Sequence, residues 1–547
     1  MRWRPSTRFA YAAIGGAALV LMPLVALVAT AFSSRQAAEI WPHLIANVLP
    51  TALVQTGLLL AGVGLVSAVI GTGTAWLVTQ YDFPGRRPFE WLLVLPLALP
   101  TYLTAYIYVE FLGFQGPLQS GLRAVTGWRS LRDYWFPDPR NLPGAIAIMA
   151  VVLYPYVYLS TRALFSVQGA SLVEAARNLG AAPGRLFWRI GLPLARPALA
   201  AGLALVLLET LNDIGATEYL GVRSLTLSIY TTWVNRGSLP GAAQIACVML
   251  LIVFALILTE FRLRGQRRFA LPVRQPRPVT RRPLRGRAAA LAGLACALPV
   301  LFGGVLPVGY LVVEILQRGL LAQFDAALLR LLGNALMLSG LASVLVVALG
   351  LCIATAGRSG RETWLKPLIR IAGLGYAVPG TVLALGLLIP LAAFDNLMAD
   401  AASALFNLKP GLILIGSGAA LVIAYTVRFL AIGISGVESG LTRVSPRIDD
   451  AARALGASGP EVLARIHWPL ARPAIAAAAL LVFVDCLKEL PATLLLRPLN
   501  IDTLATVVYG HASRGVFEDG ALAALLIILA GLYPAFVLAR TGTDRTG

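Results

Sequence analysis

The sequence predicts an all-α integral membrane protein of about 12 transmembrane helices, arranged as two related six-helix halves. Three observations carry that prediction. Of 547 residues, 58% are hydrophobic and 13% charged, with a mean hydropathy of +0.77, against a soluble norm of roughly 45–50% and 25%. Apolar windows of about 20 residues, the length that crosses a hydrocarbon core, recur along the whole chain. A loop in the first half returns in the second, nearly residue for residue, 276 positions later. This composition excludes a soluble enzyme.

Taken in order, the predicted spans are 9–32, 50–79, 89–113, 143–165, 197–218 and 241–261, then 288–312, 329–357, 367–393, 410–433, 473–495 and 519–539. The first follows Arg2, Arg4 and Arg8 and ends near Ala29-Thr30-Ala31, which resembles a secretory signal, but its apolar stretch exceeds the roughly 7–15 residues of a signal core and is read as a retained helix. Residues 263–287 join the halves. They carry Arg267, Arg268, Arg274, Arg277, Arg281, Arg282, Arg285 and Arg287 between Pro272, Pro276, Pro278 and Pro283, a polar, helix-breaking linker. Cys247, Cys296, Cys352 and Cys486 fall inside apolar runs without metal-ligand spacing and read as small buried hydrophobes.

A net charge of +19 would suggest nucleic acid in a soluble protein. Here the arginines gather on the linker and on alternate loops, and loops rich in Lys and Arg stay in the cytoplasm. The charge therefore sets orientation, with both termini cytoplasmic, the lipid bilayer as partner and no nucleic acid. The outer loop 114–142 runs against the trend with Arg123, Arg129, Arg132 and Arg140.

The repeat is dense. Glu174-Ala175-Ala176-Arg-Asn-Leu-Gly180 and Arg189-Ile190-Gly-Leu-Pro193-Leu-Ala-Arg196-Pro197 return as Asp450-Ala451-Ala452-Arg-Ala-Leu-Gly456 and Arg465-Ile466-His-Trp-Pro469-Leu-Ala-Arg472-Pro473. At the same offset Glu209-Thr-Leu-Asn-Asp213-Ile-Gly-Ala-Thr217 aligns with Asp485-Cys-Leu-Lys-Glu489-Leu-Pro-Ala-Thr493. An even number of spans per half makes the repeat parallel, about an axis along the membrane normal. Each loop reads as two short helices joined by a turn. Val173, Ala176 and Leu179 recur at helical spacing, Gly180 stands where a left-handed residue ends a helix, and Pro183 opens the next helix, as Ser458 caps it in the second copy. Pro193, Pro197, Pro469 and Pro473 are expected to stop that helix and let the chain re-enter the membrane. One such loop alone would suit a headgroup-level interfacial helix; two copies point to a partner with two equivalent docking grooves.

The Glu-Ala-Ala, Gly, Ile-x-Leu-Pro pattern at 174–193 resembles the cytoplasmic loop of the binding-protein-dependent ATP-binding-cassette permeases of the type I importer class. The resemblance implies a first permease domain over 1–262 with a coupling loop at about 168–196, and a second over 288–547 with a loop at about 444–472. It also implies that these loops dock on the subunits of an ATPase dimer through Glu174, Ala175, Ala176, Gly180, Ile190 and Pro193, and through Asp450, Ala451, Ala452, Gly456, Ile466 and Pro469. ATP and Mg then belong to that separate chain, and this one holds no cofactor. Asp450 for Glu and Trp468 for Leu depart from the pattern and imply docking that is weaker or asymmetric in the second copy. Two fused domains, with Tyr81-Asp-Phe-Pro84-Gly85-Arg86-Arg87, Leu95-Pro96-Leu-Ala-Leu-Pro100, Asn212-Asp213-Ile-Gly-Ala-Thr-Glu218-Tyr219 and Lys488-Glu489-Leu-Pro491-Ala-Thr, resemble the ferric iron importer permeases. That implies a bacterial inner membrane and a periplasmic iron-binding protein. Fused thiamine permeases share the architecture; the longer motifs favour iron.

A charge in an apolar span costs about 2.5–3.5 kcal/mol on insertion scales and so faces an interior or an aqueous cavity. Glu110, Glu209, Asp213, Glu218, Asp485, Lys488 and Glu489 qualify. Asp213 and Glu489, with Glu209 and Asp485, are the candidate translocation path, and Lys488 can pair with Asp485 or Glu489 within one turn. His43, His467 and His511 are scattered, and His467 beside Trp468 reads as packing. The sequence contains no Gly-x-x-x-x-Gly-Lys-[Ser/Thr] loop, so energy must come from elsewhere, and no nucleophile–base or metal constellation of an enzyme appears. An ion-driven secondary transporter also has two related halves, but it needs no twin docking loops.

Overall fold

Helices dominate the computed structural model, which describes residues 7–167, 176–264, 281–358, 364–407, 411–442 and 444–541. Among the described residues ten helices are long and apolar enough to cross a membrane, and an eleventh span forms if Arg86–Ala98 and Thr101–Thr126, bent by 92°, count as one. The last expected segment lies in the helix Ala521–Thr541. A multi-spanning all-α chain is the result, although four of the predicted spans are not continuous.

Two kinds of proline separate the broken spans from the unbroken ones. Leu99, forced out of the helical region by Pro100, is extended at φ −98, ψ 121, and the helix restarts at Thr101. The ninth span does the same at Val378 (φ −78, ψ 121) before Pro379, restarting at Gly380. Spans 89–113 and 367–393, expected to be unbroken, are therefore each interrupted. Spans 197–218 and 473–495 are interrupted too, the first at Asp213 between Leu192–Asn212 and Ile214–Tyr219, the second ahead of Pro491–Leu496. The tenth starts at Ala419 rather than 410, because the Asp395 carboxylate accepts from the Leu414 and Ile415 N–H groups (2.8 and 3.0 Å) and holds 411–418 outside the helix.

Pro193 and Pro469 act in the opposite way and correct the expectation that they stop the loop helices. Pro183–Leu186 runs through a π-helical turn, Phe187–Gly191, into Leu192–Asn212, and Gly459–Val462 runs through Leu463–His467 into Trp468–Leu487. The wide turn closes with Leu192 N–H on the Phe187 carbonyl and Trp468 N–H on that of Leu463, and the next residue is the proline. A proline donates no hydrogen bond and its ring collides with the carbonyl four residues back; one widened turn in front of it relieves both. The turns Leu44–Val48 before Pro50 and Leu301–Val305 before Pro307 repeat the device, so the second span already begins at Arg35.

The described chain forms two compact units, each drawn from both sequence halves. One comprises 1–46, 228–250 and 324–507. In it the first helix, Thr7–Phe32, packs against Ala326–Arg358 and Gly380–Phe406, with Gly386 so close to Pro23 that a Cβ would lie 2.2 Å from its carbonyl oxygen. Ala326–Arg358 and Ala419–Leu441 cross where Gly350 meets Gly433, at 2.7 Å from a built Cβ to the carbonyl carbon. The other unit comprises 47–227, 251–323 and 508–547. There Leu49–Gln80 crosses Leu142–Val167 at Gly71, whose Cβ would meet the Tyr154 carbonyl at 2.8 Å, and Gly531 of the last helix meets Ala98. Small residues at crossings are how helices associate in lipid, where apolar area alone gives little drive. The core of each half is completed by a first span belonging to the other, a division that the repeat boundaries 1–262 and 288–547 do not follow.

Candidate functional site

The two loops are built alike where they can be compared. Glu174 and Ala175 lie outside the described residues, and the first copy is followed from Ala176. Its helix ends with Ala181 N–H on the Ala176 carbonyl (3.0 Å) and Gly180 N–H on that of Arg177 (2.9 Å), with Gly180 at φ +77. This paired closure needs a left-handed residue, which only glycine adopts without strain. In the second copy, after Pro446–Ala454, Ala457 N–H bonds the Ala452 carbonyl at 3.0 Å and Gly456 has φ +85. Immediately before each glycine stands a leucine facing outward, Leu179 at 88% exposure and Leu455 at 89%.

Below that common tip the loops are anchored differently. In the first, Leu186, Phe187 and Ile190 pack on Trp76 and Phe165, with ring centroids 5.4 Å (Phe187) and 5.1 Å (Phe165) from Trp76. A Cβ on Gly191 would stand 2.6 Å from that indole, so the position admits no side chain. Arg177 donates to Gln80 at 3.2 Å. The second loop is held by charge. Asp449 accepts from Arg358 Nε at 2.8 Å and pairs with His467 Nε2 at 2.9 Å, while Arg358 also donates to the Val444 carbonyl at 2.7 Å. Burial alone would raise the Asp449 carboxyl; the hydrogen bonds from Arg358 and His467 outweigh it and hold the group below the ordinary carboxylate value. His467 is thus the partner of a buried carboxylate rather than a packing residue, and Asp449 escaped the sequence reading because its neighbour Asp450, which is exposed, matched the motif.

At the interrupted spans, Asp213 and Glu489 are buried, at 7% and 5% exposure. Asp213 Oδ1 accepts from the Ala216 N–H at 2.8 Å, and Oδ2 takes the Thr101 hydroxyl, so one acid caps the short helix and ties it to the helix restarted after Pro100. Glu489 accepts from the Ala492 and Thr493 N–H groups, both at 3.1 Å, and from the Thr493 hydroxyl at 2.9 Å. Its Oε1 lies 2.6 Å from where a Cβ on Gly380 would be. The copies compensate: a short acid faces a hydroxyl in one, and a longer acid faces a residue without a side chain in the other. Glu209 is half-buried a turn earlier, and Asp485 pairs with Lys488 Nζ at 2.8 Å. Because the Thr101 hydroxyl can turn to accept from an amide, Asp213→Asn should unfold within about 1 kcal/mol of the wild type, whereas Asp213→Ala should lose about 1–2 kcal/mol; Glu489→Gln, whose NH2 would face a backbone N–H whichever way it turned, should lose about 1–3 kcal/mol in thermal unfolding.

Comparison with known proteins places this architecture. The family model described as the inner membrane component of binding-protein-dependent transport systems matches residues 67–267. The sulfate transport system permease CysW of Escherichia coli K12 is 30% identical over 217 residues, 38% of this chain and 70% of that protein. The chain belongs to the binding-protein-dependent ABC permeases. The Fe(3+)-transport system permease FbpB 2 of Haemophilus influenzae is 26% identical over 492 residues, covering 89% of both proteins, and the molybdenum permease ModB of E. coli is 27% identical over 216 residues, 37% of this chain and 88% of ModB. A permease that spans FbpB 2 along its length while CysW and ModB cover about two fifths of it is a fused, two-domain member of the family. It is a multi-pass inner-membrane transport subunit rather than an enzyme.

Proposed function

We propose that this permease is the membrane pathway of an ATP-driven importer of ferric iron, which a periplasmic binding protein delivers and a separate ATPase dimer, holding ATP and Mg, powers. The observation that carries the reading is the duplicated loop tip, in which the same Gly-terminated turn exposes a leucine at the same position twice. Two domains, 1–262 and 288–547 joined by 263–287, then present loops at about 168–196 and 444–472 to two ATPase subunits, with both termini cytoplasmic. Glu174, Ala175, Ala176, Gly180, Ile190 and Pro193, and their counterparts Asp450, Ala451, Ala452, Gly456, Ile466 and Pro469, form the docking elements. The continuous helix Pro183–Asn212, about 43 Å long at 1.5 Å per residue, is a stiff rod from the first loop to the Asp213–Thr101 junction. Closure of the ATPase dimer on the loops is thereby felt at the breaks, where Asp213 and Glu489, with Glu209 and Asp485, border the path. Such coupling is a rigid-body transition biased by a partner that binds one state better.

Iron is supported by the end-to-end likeness to a permease named for Fe(3+). The test is accumulation of radiolabelled ferric iron in cells with and without this chain, with sulfate and thiamine as comparison solutes and co-purification of the ATPase as the second readout. Uptake of iron that depends on the chain is expected. Dependence of sulfate or thiamine uptake instead, or uptake driven by an ion gradient without any ATPase, would overturn the reading.

A further inference from the structure

In the compact unit that contains 324–507, the spans Ala326–Arg358 and Ala419–Leu441 end together, and the short helix Leu365–Ala372 closes a cavity of about 380 Å³ against their ends. Span ends lie at the level of the lipid headgroups. Trp364, half-exposed at the start of the short helix, is a residue type enriched at that level. Leu365 packs on Ala13 of the first span and on Ala356, with Ile369 against the same cluster, which fixes how the helix is turned. Lys366 and Arg370, one turn apart on its exposed side, line the cavity. Arg358 lines it too, but its guanidinium is already engaged: Nε donates to Asp449 at 2.8 Å, and the two Nη groups donate to the Leu441 and Val444 carbonyls at 2.5 and 2.7 Å. Among the described residues the side chains of Lys366 and Arg370 have no hydrogen bond or ion pair, and the carboxylate on the same lining is that of Glu438.

The first copy treats the same helix differently. With Gly71, Pro88 and Pro100 matched to Gly350, Pro367 and Pro379, Arg87 falls on Lys366, Glu90 on Ile369 and Trp91 on Arg370. In the first copy the acids serve the arginines beside them: Glu90 pairs with Arg86 and, at 3.2 Å, with Arg162, and Asp82 takes Arg86 at 3.2 Å. The second copy carries an apolar residue in place of that glutamate and a guanidinium in place of the indole. Leu365–Ala372 is thus left with two cations four residues apart and no acid of its own. Like charges at that spacing repel, so the arrangement is unfavourable until an anion lies between them.

We propose that this cavity binds the headgroup of an anionic phospholipid, with the phosphodiester on Lys366 and Arg370 and the headgroup hydroxyls toward Glu438. Ammonium and guanidinium donors make their strongest hydrogen bonds to such oxyanions, and basic pockets between spans at the membrane surface are where anionic headgroups are held. With Arg358 matched by Asp449, Lys366 and Arg370 stand against Glu438, which leaves the lining with a net charge of +1. A singly charged phosphodiester balances that, and a doubly charged phosphate does not. The carboxylate also sets the kind of headgroup: it repels a bare phosphate and accepts from hydroxyl groups, which the glycerol of phosphatidylglycerol supplies. The lipid would lie against the wall on which Arg358 holds Asp449, and so against the base of the second loop.

The test uses the full-length permease in neutral detergent, titrated with dioleoylphosphatidylglycerol and read as lipid adducts by native mass spectrometry. The wild type should hold phosphatidylglycerol several-fold more tightly than phosphatidylethanolamine, whose ammonium could meet Glu438 but whose net charge is zero. Lys366→Gln and Arg370→Gln should each weaken phosphatidylglycerol binding about fivefold, and the double variant about twenty-five-fold, as expected for one cation and two cations at an anionic lipid. Glu438→Gln should tighten it, a gain that misfolding cannot produce. Arg87→Gln, which removes the matching cation of the first copy, should bind as the wild type does and so control for charge alone. Lys366 and Arg370 are exposed, so without added lipid their variants should unfold at the wild-type temperature. Binding unchanged in the double variant, or phosphatidylethanolamine held as tightly as phosphatidylglycerol, overturns the site. So does displacement of the lipid by millimolar inorganic phosphate, which would make this a site for a soluble anion.

Discussion

Leu179→Glu combined with Leu455→Glu should abolish ATP-driven uptake while leaving the permease inserted, folded and thermally unchanged. Both leucines project almost fully into solvent from the tip of a glycine-terminated turn, and neither contributes to the packing beneath it. Substitutions at such positions normally shift stability by less than about 0.5 kcal/mol. Burying a leucine in a partner groove contributes roughly 1.5–3 kcal/mol, and a glutamate placed there adds a desolvated charge. On the docking proposed above, the pair should lose at least about 4 kcal/mol in ATPase binding, on the order of a thousandfold in Kd. The measurements are co-purification of the ATPase, iron uptake and unfolding temperature of the solubilised protein. Single variants should fall between, and unequally, since the first loop rests on an aromatic anchor and the second on an ion pair. Full uptake and co-purification in the double variant would remove the leucine tips from the docking surface.

What could be read from the residues divides along physical lines. Local grammar was legible: the apolar runs became helices, and Gly180 and Gly456 close their helices in the left-handed conformation that their position implied. The outcome at prolines was not. Pro100 and Pro193 sit in similar apolar runs, yet one breaks a span and the other is absorbed by a π turn. The difference comes from the neighbours: the break at Pro100 is stabilised by Asp213, more than a hundred residues away, which no local window contains. Asp213 and Glu489 stand out in the sequence as charges in apolar spans, but their capping of the interrupted helices depends on breaks that no local pattern shows. The exchange of first spans was equally hidden, because an apolar helix does not state which apolar surface it covers. Asp449 was lost to a motif that fixed attention on Asp450.

Asp449→Ala should selectively loosen the second loop. Among the described residues, the substitution leaves the largely buried Arg358 guanidinium with backbone carbonyls alone, and it takes the acceptor at Nε2 from His467, whose Nδ1 has no hydrogen-bond partner there. Breaking one side of a buried, hydrogen-bonded charge pair costs about 2–4 kcal/mol, here confined to a loop rather than to a transmembrane core. Limited proteolysis should therefore cut near 444–467 many times faster in the variant, while the first loop, whose described residues pack on Trp76 and Phe165 and do not touch Asp449, is cut at the wild-type rate. Acid provides an independent check. The Asp449 carboxyl is held below its ordinary value, so its stabilising contribution is complete above about pH 4 and disappears as the pH falls through the lowered value. Protection of the wild-type second loop should stay level from pH 8 to pH 5 as far as Asp449 determines it, and then collapse at lower pH. Asp449→Ala should start from the loosened state and lack that acid transition. Because Arg358 closes the end of its span on this same carboxylate, an acid transition that survives in Asp449→Ala would show that the second loop is held by its apolar contacts and that the charge pair serves only to hold the span end.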